Sequence, residues 1–203
     1  MRWIETIVMG LALFSMGCSV KSTPPVTEYA IIGKSVGYDR LKDTHCRDAS
    51  LKILEPFGSY EYSVNELHYV VLPYEENSYT QSAWVQPVST MLYNEILKAI
   101  RESRIFATVS NYSSVAKGDY VLEIEINDFK QYFTPSQKRS YIVSDMTFTL
   151  VGGGDFLPVS QKVVYKKIKT KELNAKGGVE ALNQAQQETI EEVVKWLEET
   201  CKR

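Results

Sequence analysis

In the stretch DYVLEIEINDF, Tyr120, Leu122, Ile124 and Ile126 fall on one parity, and Val121, Glu123 and Glu125 on the other. A period of two over seven residues marks a strand with one face buried and one wet. That pattern commits the chain to a sheet with an apolar layer over one side. The following segments extend it. After a turn near residues 134–138, residues 141–151 place Ile142, Met146, Phe148 and Leu150 on one face. GGGD at 152–155 reads as a hairpin turn and 159–170 as a further strand. Three consecutive strands joined by short turns predict an antiparallel meander.

Two segments carry the helical period instead. In 82–103, Val85, Val88, Leu92, Ile96, Ala99 and Ile100 form one broad face, with Trp84 and Met91 beside it and Pro87 in the first turns. In 179–200, opened by Gly177–Gly178, the face is Leu182, Ile190, Val193, Val194 and Leu197. Shorter strands are predicted at 28–33, 51–55, 67–72 and 104–109. The order β-β-β-α-β-β-β-β-α gives an α/β fold. It is one domain: a mixed sheet with an antiparallel meander, covered by two long amphipathic helices. A strand after the first helix can return parallel through a crossover. The 44% hydrophobic and 24% charged content suits a packed core of this size. A net charge of −2 gives no basic excess for nucleic acid.

The amino-terminal residues have a different logic. Residues 6–17 carry no charge and include Ile7, Val8, Met9, Leu11, Leu13 and Phe14. As a helix they reach about 18 Å, short of a hydrocarbon core of about 30 Å, so an export signal is expected over a membrane span. The run stops at SMGC, residues 15–18. This resembles the bacterial lipoprotein box, with Ser15 where Leu is usual. The resemblance implies a signal peptide at 1–17, lipidation (palmitate) at Cys18 and a Pro-containing lipidated tether at 18–27 ahead of a domain at 28–203. Ser19 after the cysteine, by resemblance to the usual sorting rule, favours the outer membrane. A plain secretory signal with an incidental cysteine is the competing reading. Export into an oxidising compartment leaves Cys46 and Cys201 as an even pair, and a disulfide between them is expected.

Recognisable catalytic patterns are missing. The glycines at 152–154 lack a phosphate-loop sequence, and GxSxG and HExxH do not occur. His45 beside Cys46, with His68 distant, gives no metal-ligand spacing. His68 within LHYVVL reads as a satisfied sheet residue. The expectation is a non-catalytic protein with no metal or cofactor. Lysines 162, 166, 167, 169 and 171 read as protection of an edge strand, with contact to anionic lipid headgroups or an acidic partner as the alternative. Tyr60, Tyr62, Tyr69, Tyr74 and Tyr79 precede the first helix and, where exposed, are expected to form a partner-binding patch.

The order of parts then suggests a family. ENSYTQSAWVQPVSTMLYNEILKAIRESRIFATV followed by DYVLEIEINDF is similar to the auxiliary lipoproteins of ABC-type transporters, the paraquat-inducible protein C type. The shared marks are Tyr79, Trp84 and Pro87, a helix ending near Ser103, then Phe106, Val109 and Asp119–Tyr120. The long Cys-bearing segment 34–50 and the Tyr-rich residues 57–78 depart from the usual pattern. The resemblance implies an anticodon-binding-domain-like sheet and a supporting role without catalysis. It also implies a partner, the MCE (mammalian cell entry) protein of a lipid transporter, met at the periplasmic face of the outer membrane. Trp84 and Pro87 would be carried over as shape-setting residues, Trp84 packing either in the core or at the dock, and with Tyr74 and Tyr79 of the tyrosine patch they make up the expected partner interface. Self-association stays open. The alternative function is an envelope-assembly lipoprotein acting as chaperone or plug for an outer-membrane barrel. A lipid-anchored hydrolase is a more remote third.

Overall fold

The structure is a computed structural model that describes residues 24–33 and 45–202. Its spine is β7 (Tyr120–Phe133), which pairs along its whole length with antiparallel β8 (Ser140–Gly152). β8 pairs in turn with antiparallel β9 (Pro158–Lys169), completing the meander. The other edge of β7 takes three short parallel strands end to end. These are β2 (Ser50–Ile53), β3 (Phe57–Gly58) and β4 (Glu66–Val71). Outside β2 lies parallel β6 (Thr108–Ser110). Outside β4 lie antiparallel β5 (Glu75–Trp84) and then β1 (Thr27–Tyr29), parallel to β5. The nine strands of the described residues form one mixed sheet that forks beyond β7.

A single extra residue makes the long spine work. The register of β7 against β8 shifts between Ile126 and Asp128, leaving Asn127 as a bulge. Before it the even residues Leu122, Ile124 and Ile126 are buried, and after it the odd residues Phe129, Gln131 and Phe133. A bulge bends and twists its strand. Here it also flips the inward parity, so one strand faces one core over 14 residues.

Helices α1 (Val88–Ser103) and α2 (Ala175–Cys201) share a face of the sheet. Their apolar stripes join Leu122, Ile124, Met146, Phe148 and Leu150 in one hydrophobic cluster. Among the described residues, the opposite face of the meander carries no helix. Helix α1 starts at Val88, six residues later than its periodicity suggests. Pro87, whose missing N–H costs nothing there, is the N-cap. Trp84 instead ends β5, and Val85 is exposed. Helix α2 starts earlier than expected, because Asn174 Oδ1 accepts from the Gly177 N–H at 2.9 Å and caps it. Gly177 and Gly178 therefore lie inside the first turn. The strand expected over 104–109 shrinks to β6, because Arg104 ends α1 in the left-handed conformation (φ 55°) and Ile105 and Phe106 drop into the core.

Cys46 and Cys201 form a disulfide with their Cα atoms 5.5 Å apart. Beside it the His45 N–H donates to the Cys201 carbonyl at 3.0 Å. The loop before β2 is thus tied to the last turn of α2. No helix among the described residues is long and apolar enough to cross a membrane. Cys18, the export signal and residues 18–23 of the tether lie outside the described residues.

Candidate docking surface

The four residues expected at a partner interface sit along one hairpin and its exit into α1. Tyr74 is at the β4–β5 turn, after the cis Leu72–Pro73 bond, and is 92% exposed. Tyr79 is half-buried. Its hydroxyl donates to Gln131 Oε1 at 3.0 Å, and its ring lies 4.5 Å from that of Tyr69. Burial, with Tyr69 and Tyr29 nearby, pushes the Tyr79 phenol above its usual range. Of the two places open to it, core or dock, Trp84 takes the core: it is 2% exposed, beneath the hairpin. Pro87 is half-buried at the helix start. The tyrosine cluster likewise divides. Tyr60 is exposed, whereas Tyr62 is buried and its hydroxyl accepts from the Phe129 N–H at 3.1 Å. Of the five tyrosines, Tyr60 and Tyr74 are the ones presented fully to solvent.

A second constellation, missed by sequence reasoning, occupies the uncovered face of the meander. Past the bulge, Asp128, Lys130 and Tyr132 point to this side. Lys130 Nζ lies 2.9 Å from Glu61 Oε1 and 3.2 Å from Glu76 Oε1, tying the 3-10 turn Tyr60–Ser63 and the β5 arm to the spine. Burial opposes both charges of the Glu61–Lys130 pair. Their mutual attraction prevails, holding the Glu61 carboxyl below and the Lys130 ammonium above its ordinary value. Burial raises the Asp128 carboxyl, even though Tyr132 donates to Oδ2 at 2.5 Å. Asp128 Oδ1 has no hydrogen-bond partner among the described residues. The Tyr132 and Tyr141 rings stack at 5.6 Å, and Lys167 Nζ stands 4.0 Å over Tyr141. The signal for this ladder was the polar parity of DFKQYF, legible only once Asn127 is discounted.

The far end of the same face mixes apolar and charged side chains. A groove of about 540 Å³ is lined by the apolar Leu54, Val121, Val151 and Phe156 together with the charged Lys52, Lys117 and Glu123. Phe156 holds a left-handed φ of 58° with its ring exposed, a conformation that bulky residues rarely adopt. Gly153 is required here: its N–H donates to the Asp119 carbonyl, and a Cβ would run into the Gly118 backbone.

The remaining expectations resolve locally. β9 is an outer strand, but its lysines do more than guard it, since Lys162 and Lys166 reach Glu192 of α2 at 2.7 and 2.9 Å. His68 is half-buried, and its Nε2 is 3.6 Å from Glu66 Oε2, too far for a hydrogen bond. The expected satisfied histidine is therefore not found at that atom.

Among the described residues, these features define a single-domain α/β scaffold with one helix-covered and one open sheet face. By structure it is similar to a DUF330-family protein from Xanthomonas campestris. The TM-score is 0.75 at 19% identity, covering 86% of this chain and 96% of that one. A crystal structure of an uncharacterized protein matches at a TM-score of 0.63 and 12% identity, over 85% of this chain and 98% of the other. At these identities the likeness establishes the fold. No protein-family model matches the sequence, and no curated protein matches it.

Proposed function

We propose that this protein is a non-catalytic lipoprotein of the bacterial envelope, anchored by acyl chains on Cys18 and docking an MCE-domain protein of an ABC-type lipid transporter. One observation carries the anchoring. The chain has three cysteines, and the Cys46–Cys201 bond uses two, so Cys18 has no cysteine partner in its own chain. It stands where an uncharged leader ends in a lipoprotein-like box. Acyl chains there, at about 0.8 kcal/mol per buried methylene, would hold the domain on the membrane. The tether then sets its reach, and the outer membrane's periplasmic face is the proposed site.

Docking is assigned to the exposed tip of the β4–β5 hairpin. Tyr74 offers an amphipathic ring to a partner, Tyr79 and Trp84 hold the hairpin in place from within, and Pro87 starts the helix that follows it. A rigid support under an exposed aromatic is what an anchor residue at an interface needs. Labelled palmitate should enter the protein and be lost in Cys18→Ser, and the MCE protein should co-purify from membranes. A Cys18→Ser chain that still sediments with membranes, unlabelled and unprocessed, removes the anchor from the proposal. Recovery of an outer-membrane barrel in place of an MCE protein moves the function to envelope assembly.

A further inference from the structure

β9 (Pro158–Lys169) is hydrogen-bonded to β8 along one edge, and among the described residues no strand pairs with the other. An open edge is a row of backbone donors and acceptors ready to take another strand, and proteins usually guard it with charge. Here the guard is uneven. Lys162 and Lys166 face the helices and are held by Glu192. Lys167 and Lys169 protect only the last third of the open-face side. Ahead of them that side presents Gln161, Val163 and Tyr165, the last two 56% and 55% exposed.

We infer that this edge takes a second copy of the chain, β9 against β9, antiparallel about a twofold axis through Val163. The occupant follows from the strand's own residues. Directly opposed residues in an antiparallel pair share a face, so the axis must pass through a residue position. Pairing nearly the whole strand leaves Val163 or Val164 as the centre. Centring on Val164 sets Lys162 against Lys166, a like-charge cross-strand pair. Centring on Tyr165 leaves Val159 and Ser160 beyond the partner strand and turns Val163 onto Lys167. Centring on Val163 sets Val163 against itself, Gln161 against Tyr165, Lys162 against Val164 and Lys166 against Ser160. No lysine then meets a lysine, and the uncharged stretch of the open face covers its own counterpart. The interface is isologous and closes at two copies. A foreign strand would have to match four lysines, whereas the chain's own strand already avoids them.

The test uses the full-length chain. Opposed Cα atoms in an antiparallel pair are about 4.5–5.5 Å apart, within disulfide range. Val163→Cys should give a reducible band of twice the mass under mild oxidation. The unsubstituted chain, which also carries Cys18, should give none. Gln161→Cys and Tyr165→Cys should each stay uncrosslinked alone and crosslink when mixed. Val163→Lys sets like charges across the axis, and sedimentation should then show the dimer lost with thermal unfolding unchanged. A folded Val163→Cys chain that stays uncrosslinked, or crosslinking from Tyr165→Cys alone, overturns the inference. So does an unsubstituted chain that sediments as a monomer, including one whose β9 edge takes a different protein.

Discussion

Tyr79 Oη donates to Gln131 Oε1 at 3.0 Å, and this bond fixes the β4–β5 hairpin onto the spine strand. Gln131 extends the link, its Nε2 donating to Ser140 Oγ at 3.0 Å, and the Ser140 hydroxyl in turn contacts that of Thr170. Tyr79→Phe strands a buried acceptor and should cost about 1–2 kcal/mol, seen as a lower urea midpoint. Tyr74→Ala touches an exposed ring and should leave the midpoint within about 0.5 kcal/mol while weakening capture of the partner. Normal capture by Tyr74→Ala would remove the hairpin tip from the interface.

How much of this was legible depended on how each segment is solvated. The stretch 145–150 of β8 and the first half of β7 alternate cleanly because one face is core and the other is wetter. The second half of β7 was hidden by Asn127, since one bulged residue reverses the parity of all that follow. β5 was missed because EENSYTQSAW lies in the forked arm, with most positions exposed and no apolar face until Trp84. Trp84 and Val85 fall at helical spacing from Val88 and so extended the expected helix across the strand's end. The Cys46–Cys201 bond was reached from compartment and parity alone. The polar ladder around Lys130 was not, because its members come from separate elements joined only by folding.

The disulfide closes a loop spanning 155 positions of sequence. In the chain-entropy account such a bond is worth roughly 4–5 kcal/mol, and removing a native disulfide typically costs 2–5. The Cys46→Ser/Cys201→Ser double variant should therefore lose about 2–4 kcal/mol in denaturant unfolding. In the unreduced, folded protein neither position should react with iodoacetamide. Alkylation at both would contradict the bond.

Gly178 lies in the first turn of α2 against the Gln131 side chain, and a Cβ at this position would overlap Gln131 Oε1. Alanine normally gains about 1 kcal/mol over glycine in a helix. Here the overlap should outweigh that gain, because Gln131 is held by Tyr79 and Ser140. Gly178→Ala should lose about 1–3 kcal/mol. Gly154, with nothing within 4 Å of its Cβ position, should tolerate alanine. In Gly178→Ala/Gln131→Ala the losses should fall short of additivity, since the second change removes the obstruction.

Two acidic groups on opposite sides of the sheet, Asp128 on the open face and Glu192 on the helix side, should respond to pH with opposite sign. Burial raises the folded Asp128 carboxyl above its usual value of 3.8 despite the Tyr132 bond and the Lys130 charge. Its contribution is then fully present below 3.8 and lost as pH rises through the higher folded value, so the charged form is a burden at neutral pH. Asp128→Asn keeps an acceptor for Tyr132 and discards the charge. It should unfold at a higher temperature than the parent at pH 7, with the gap closing toward pH 3. Glu192 is the reverse case: hydrogen bonds from Lys162 and then Lys166 lower its carboxyl. Its contribution is present above the usual 4.5 and disappears as pH falls through the lower folded value. Glu192→Gln should unfold at a lower temperature than the parent at pH 7 and converge with it in acid. Thermal melts of the three proteins from pH 3 to 7 check both signs. If Asp128→Asn proves the less stable at pH 7, the Tyr132–Asp128 bond outweighs burial, and the carboxylate is a structural anchor of the open face.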